Sequence, residues 1–175
     1  MDDLEKIQTD EARNNPPAPS KDALTATELI GLADCGDLEC VQLRMKEQAD
    51  DFVHARKGEF AALHRSVVMD TAKRELLMPL STLYVETNPG ANWRMAHTVH
   101  RPEMRDKLLN EFQQLGFSLA DSGYFLGLRS RQLVYTSSKY PGRNLYLTTT
   151  YAPWYLKGLY KNVTWPCFVF EVYKE

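Results

Sequence analysis

The sequence predicts an α+β protein, in which an N-terminal helical segment precedes a mostly antiparallel sheet crossed by one helix. Apolar residues recur at helical spacing before residue 78, and the period changes after Pro79. Every aromatic residue except Phe52 and Phe60 lies after residue 80, and aromatic side chains suit a pleated, half-buried surface. These patterns divide the chain into three parts. They are a disordered N-terminal arm at 1–22, a helical segment at 23–78 and an α+β sheet domain at 79–175.

The composition is that of an ordinary globular protein. The chain has 175 residues, of which 43% are hydrophobic and 25% charged, and its formal net charge is −2. These values exclude a histone-like polycation and an acidic disordered chain. No apolar run approaches the roughly 20 residues that a membrane helix needs, so we expect a cytoplasmic protein without a membrane partner. The three cysteines lack a Cys-x-x-Cys spacing and predict neither a disulfide framework nor a zinc site.

The helical segment contains the strongest periodic signal. Thr25 and Glu28 form a capping-box pattern that predicts a helix over 26–34. A second helix is predicted from 37 to 77, which unbroken would extend about 60 Å. One small subunit could not cover such a helix, so the chain either turns back near Gly58 or leaves part of the apolar stripe for a partner. The stripe comprises Leu38, Val41, Met45, Ala49, Phe52, Phe60, Leu63 and Val67.

The pattern in the remaining chain predicts several strands and one helix. Pro102 at a first helical position and Gly116 at the stop predict a helix over 102–115. Pro141 and Gly142 predict a hairpin turn. The last strand is apolar on both faces and should be central in its sheet. The predicted strands are 80–86, 94–100, 124–129, 132–137, 144–151 and 166–173.

The sequence contains none of the common catalytic motifs. The nine glycines include no Gly-x-Gly pair, and the chain contains no Gly-x-Ser-x-Gly and no His-Glu-x-x-His. We therefore predict no catalytic residue, cofactor or metal, and we expect a binding function in preference to catalysis.

The first hypothesis is an accessory or inhibitory protein that acts through a protein–protein interface. The over-long apolar stripe and an aromatic loop interrupted by Pro153 and Gly158 supply the surface. The partner would be another protein or a second copy of the chain. The predicted interface residues are Phe52, Phe60, Leu63, Tyr151, Trp154, Tyr155 and Tyr160.

A second hypothesis is a single-stranded nucleic-acid binder. Aromatic faces that stack on bases, together with Arg and Lys side chains that contact phosphates, are typical of such proteins. The alternative is that these aromatic residues only fill the sheet. The candidate residues are Arg129, Arg131, Tyr135, Arg143 and Tyr146.

A third hypothesis is that the chain is an enzyme whose active site, at residues 94–103, binds an anionic substrate. Arg94, His100 and Arg101 precede the start of the helix at Pro102, and helix amino termini attract anions. Glu103 would supply a carboxylate. His97, three residues before His100 in the predicted strand, faces inward and is predicted to be a hydrogen-bonded core histidine.

Overall fold

The computed structural model describes residues 21–48, 52–56, 59–62, 65–69, 75–79, 81–85, 94–125, 130–150 and 166–174. Within these ranges the chain is α+β, as predicted. The helices are α1 (Ala26–Ala33), α2 (Leu38–Gln48) and α3 (Pro102–Gln114). None of the helices in these ranges is both long and apolar enough to cross a membrane.

The strands form one large antiparallel sheet and one small hairpin. Their bounds are β1 (Phe52–Arg56), β2 (Glu59–Ala62), β3 (Arg65–Met69), β4 (Glu75–Pro79), β5 (Ser81–Val85), β6 (Arg94–Val99), β7 (Ser118–Phe125), β8 (Ser130–Thr136), β9 (Arg143–Thr150) and β10 (Cys167–Lys174). The order in the large sheet is β1-β2-β5-β6-β10-β9-β8-β7, and β3 pairs with β4 separately. The final strand is therefore central, between β6 and β9, as its two apolar faces predicted.

Local signals placed the helix ends correctly. The Thr25 hydroxyl accepts the Glu28 backbone N–H, and the Glu28 carboxylate accepts the Thr25 N–H, which completes the capping box. Pro102 is the first residue of α3. Gly116 follows that helix with a φ of +89°, a left-handed conformation that favours glycine.

The long helix predicted over 37–77 is not confirmed. Helix α2 ends at Gln48, and Phe52 begins a strand. Phe52 and Phe60, eight residues apart, fall within one broad helical face, which is why the pattern predicted a helix. In the structure they lie on separate strands, β1 and β2, and the antiparallel register sets Phe60 opposite His54, on the same face as Phe52. A second correction concerns the strand predicted at 124–129. The structure places β7 at Ser118–Phe125, and residues 126–129 lie outside the described ranges.

The core lies between the helices and one face of the large sheet. Phe112 of α3 stacks on Phe170 of β10, with ring centroids 6.2 Å apart and planes 9° from parallel. Helix α1 buries five residues, whereas α2 buries only Val41 and Met45. The helices therefore cover one side of the sheet, and α1 is the most deeply buried of the three.

His97 joins the first helix to this core. Its Nε2 accepts the Leu24 backbone N–H at 3.2 Å, so Nδ1 carries the proton and donates to the Thr82 carbonyl at 2.9 Å. The side chain is fully buried, and burial lowers its pKa to about 4. The prediction of a hydrogen-bonded core histidine is confirmed.

Candidate binding face

Strand β10 divides its side chains between two faces of the sheet. Phe168, Phe170 and Val172 belong to the helix-covered core. Strand alternation sends Glu171 and Tyr173 to the opposite side. We call this second side the polar face. Its register positions on the five adjoining strands are Thr82, Tyr84, Arg94, Ala96, Thr98, His100, Ser130, Gln132, Val134, Thr136, Asn144, Tyr146, Thr148, Thr150, Cys167, Val169, Glu171 and Tyr173, and Arg94 holds the position opposite Tyr173.

One end of the polar face is buried. Cys167 lies opposite Thr150 in the β9–β10 register, and its Sγ lies 3.4 Å from Nδ1 of His100. Both Cys167 and His100 are 1% exposed. Ser130, at the corresponding position of β8, is equally buried. This end therefore lies inside the molecule.

The thiol and the imidazole in this buried row are both uncharged at neutral pH. Burial raises the pKa of Cys167 to about 12. Burial lowers the pKa of His100 to about 4, against the opposing effect of a hydrogen bond with the Pro166 backbone. A cysteine nucleophile needs its thiolate form. The contact therefore joins a neutral thiol to a neutral imidazole.

Tyrosines and one carboxylate occupy the half-exposed part of the polar face. Glu171 lies directly opposite Tyr146 on β9 and Ala96 on β6, and Ala96 lies opposite Tyr84 on β5. The Tyr146 and Tyr173 rings meet edge to face, with centroids 4.8 Å apart and planes at 70°. We call Tyr84, Tyr146, Glu171 and Tyr173 the tyrosine–glutamate patch. All four side chains are half-buried.

A row of uncharged side chains separates the patch from the buried end. Thr82, Thr98, Val169, Thr148 and Gln132 follow one another across five strands. The Gln132 Nε2 donates to the Thr148 hydroxyl at 3.2 Å. Thr98 is fully buried and Thr148 is half-buried, so exposure within this row differs from strand to strand.

The predicted protein-interface residues do not meet on this face. Phe52 and Phe60 are 7% and 3% exposed and belong to the core, so they offer no free surface in the single chain. Burial of these two rings removes the apolar stripe as the basis of the interface at those positions. The other predicted interface residues lie outside the described ranges: Leu63, Tyr151, Trp154, Tyr155 and Tyr160.

The three residues proposed for anion binding are not brought together. Arg94 begins β6 and His100 follows its end, so their backbones stand about 20 Å apart at roughly 3.3 Å per residue. His100 is buried and neutral and adds no positive charge. Arg101 is exposed at the start of α3 and makes no side-chain cap hydrogen bond.

The nucleic-acid candidates are likewise dispersed. Tyr135 is buried in the helix-covered core, whereas Tyr146 lies on the polar face. Arg143 pairs with Asp34, and Arg131 is exposed on β8. Arg129 lies outside the described ranges. Only Tyr146 belongs to the tyrosine–glutamate patch.

Sequence reasoning missed the patch and the Cys167–His100 contact. The contact joins residues 67 positions apart and becomes visible only when β6 and β10 are known to pair. Within the described residues, no group of three or more His, Cys, Asp or Glu side chains could hold a metal ion. Comparisons with protein-family models, with curated proteins and with solved structures found no match.

Proposed function

We propose that this chain is a protein-binding module and that its tyrosine–glutamate patch takes a basic segment of a partner protein. The observation that carries the proposal is the register of Glu171 opposite Tyr146, with the Tyr173 ring against Tyr146. Tyrosine is enriched where proteins bind one another. The proposal keeps the binding function expected from the sequence and moves the interface to a different part of the sheet.

The chemistry of the patch favours a cation. Aromatic faces attract Lys and Arg side chains through the ring quadrupole, and a carboxylate adds a charge-assisted hydrogen bond. A carboxylate oxygen accepts more than one donor, so Glu171 can receive a partner cation in addition to its contacts within the chain. A negative charge among the rings opposes a phosphate backbone, so a basic protein segment is favoured over single-stranded nucleic acid.

A peptide-binding experiment tests this proposal. A labelled peptide of alternating Arg, Gly and Ser is titrated with the full chain, and binding is followed by fluorescence anisotropy. A peptide with Glu in place of Arg and a single-stranded oligonucleotide serve as comparison probes. We expect the basic peptide to bind and Glu171→Gln to raise its Kd about tenfold.

Asp121→Asn is the matched control because it removes one negative charge at an exposed position of β7. It should leave the Kd within about twofold, as expected for screened surface charges. Equal weakening by both variants would assign the binding to net charge and overturn the patch. Salt-sensitive oligonucleotide binding that is lost in Tyr146→Ser would instead favour the nucleic-acid alternative.

A second copy of the chain is the other partner considered, and light scattering of the full chain, alone and with the basic peptide, distinguishes self-association from peptide binding. We also propose the cytoplasm as the location, which fractionation of the tagged chain tests. Disulfides persist mainly in oxidising compartments and are rare in the cytosol, so a stable bond between Cys35 and Cys40 would count against a cytoplasmic location.

A further inference from the structure

The structure contains a disulfide that sequence reasoning did not predict. Cys35 and Cys40 are bonded across the turn between α1 and α2, with Cα atoms 5.6 Å apart. Their spacing predicts no framework of bridges. The correction arises because the turn after α1 brings two residues five apart in sequence within the distance that a disulfide spans.

The two sulfur-bearing residues differ in exposure and in helical position. Cys35 is 2% exposed, whereas Cys40 is half-buried. Cys40 lies in the first turn of α2, and its backbone N–H donates to Asp37 Oδ1 at 2.8 Å. A thiolate in the first turn of a helix is stabilised by the helix dipole. Cys40 is thus the more accessible of the two residues, and its thiolate is a favourable leaving group once a mixed disulfide has formed on its sulfur.

Helix α2 depends on few other attachments. Only Val41 and Met45 of its residues are buried, and Leu43 is 60% exposed. The Gln48 carbonyl at its other end accepts a hydrogen bond from Lys21 at 3.1 Å. The disulfide therefore fixes the amino end of the helix. The ring that it closes is short, and short rings give the smallest entropic stabilisation of the folded state.

We propose that Cys35–Cys40 is an exchangeable disulfide that a dithiol reductant opens, releasing the amino end of α2. The first reductant thiolate attacks Cys40 Sγ, forms a mixed disulfide and expels Cys35 as a thiolate. The second thiolate of the same reductant molecule then attacks the reductant-derived sulfur of that mixed disulfide and expels Cys40 as a thiolate. Two electrons pass to the protein, the reductant becomes a cyclic disulfide, and its two protons go to the two cysteines.

Such a bond would be compatible with a cytoplasmic protein because cytosolic disulfides, where present, are usually transient and redox-sensing. The disulfide lies in the helix layer, on the opposite side of the sheet from the tyrosine–glutamate patch, so its opening can be tested separately from binding at the patch.

The test uses the full chain under native conditions. Alkylation followed by mass spectrometry counts free thiols before and after dithiothreitol, and amide hydrogen exchange reports opening of each helix. We expect Cys35 and Cys40 to resist alkylation before reduction and to react afterwards. Reduction should accelerate exchange in α2 about tenfold and leave α1, with its five buried residues, within about twofold.

The variant with Cys35→Ser and Cys40→Ser should reproduce the faster α2 exchange without reductant. Cys167→Ser is the control because Cys167 is a buried cysteine that takes no part in the disulfide. It should leave the reductant response of α2 unchanged. Three results would overturn the proposal: both thiols alkylated before reduction, a bond that reacts with dithiothreitol only after the chain is unfolded, or equal acceleration of exchange in α1 and α2.

Discussion

The two faces of the large sheet have different compositions although they share the same strands. The core face of β10 carries Phe168 and Phe170, which helices cover. The polar face of the same strand carries Glu171 and Tyr173, which are half-buried. Because side chains alternate along a strand, one segment contributes both to the core and to a surface with binding chemistry. Substitutions at adjacent positions should therefore separate stability from recognition.

The largest effect is expected at Phe170, which is fully buried beneath Phe112. Phe170→Ala should reduce the free energy of unfolding by about 3–5 kcal/mol because it removes a large buried ring and leaves a cavity. Urea unfolding followed by circular dichroism measures the change. Tyr173→Ser, three positions along β10, is the comparison variant and should cost less than about 1.5 kcal/mol, since it removes one half-buried ring contact. Similar losses in the two variants would contradict the assignment of stability to the core face.

The next effect is a pH dependence that involves one histidine on each face. Burial lowers the pKa of both His97 and His100 to about 4, below the value of about 6.5 in an unfolded chain. Between these two values the unfolded chain binds more protons than the folded chain. The contribution of each histidine to stability is complete above about pH 6.5 and is lost as the pH falls toward 4. Each can account for at most about 3 kcal/mol.

Urea unfolding at pH 7, 5.5 and 4.5 measures this dependence. His97→Gln should flatten the decline because it removes the titrating ring that accepts the Leu24 N–H. His100→Gln should flatten it by a similar amount, on the opposite face. A decline that is unchanged in both variants would assign the acid sensitivity to the carboxylates.

The smallest effect concerns the attachment of the helix layer. Thr25→Ala removes the side-chain half of the capping box at the start of α1 and should cost about 1 kcal/mol. Thermal unfolding measures the loss. Thr27→Ala is the control because Thr27 is an exposed position within the same helix, and it should change stability little, since Ala is the better helix former. Equal loss in the two variants would indicate that the cap contributes nothing.

Much of the fold was predictable because its signals are local. The Thr25–Glu28 capping box, Pro102 at the start of α3 and the Pro141–Gly142 turn each depend on neighbours within a few residues. The helix predicted through Phe52 depended on periodicity alone, and the apolar residues of the short paired strands β1 and β2 happen to fall at helical spacings.

The candidate sites were not predictable because they depend on strand register. Glu171 and Tyr146 are separated in sequence by the whole β9–β10 connection, and Cys167 and His100 by a helix and three strands. Neither pair has a motif that sequence spacing could identify. The disulfide was not predicted for a different reason: its two cysteines are close in sequence, but their spacing matches no established motif.

The hydrogen bond from Leu24 to His97 spans 73 residues, and this has a consequence for the order in which the protein folds. The His97 ring that accepts the Leu24 N–H also donates a hydrogen bond to the Thr82 carbonyl, which orients the ring. Thr82 lies on β5 and His97 on β6, so the two groups meet only when these strands pair. The acceptor is therefore in place only after those two strands have met. Contacts of such long range close slowly, so α1, although early in the chain, should dock late and complete the hydrophobic layer as one of the final steps of folding.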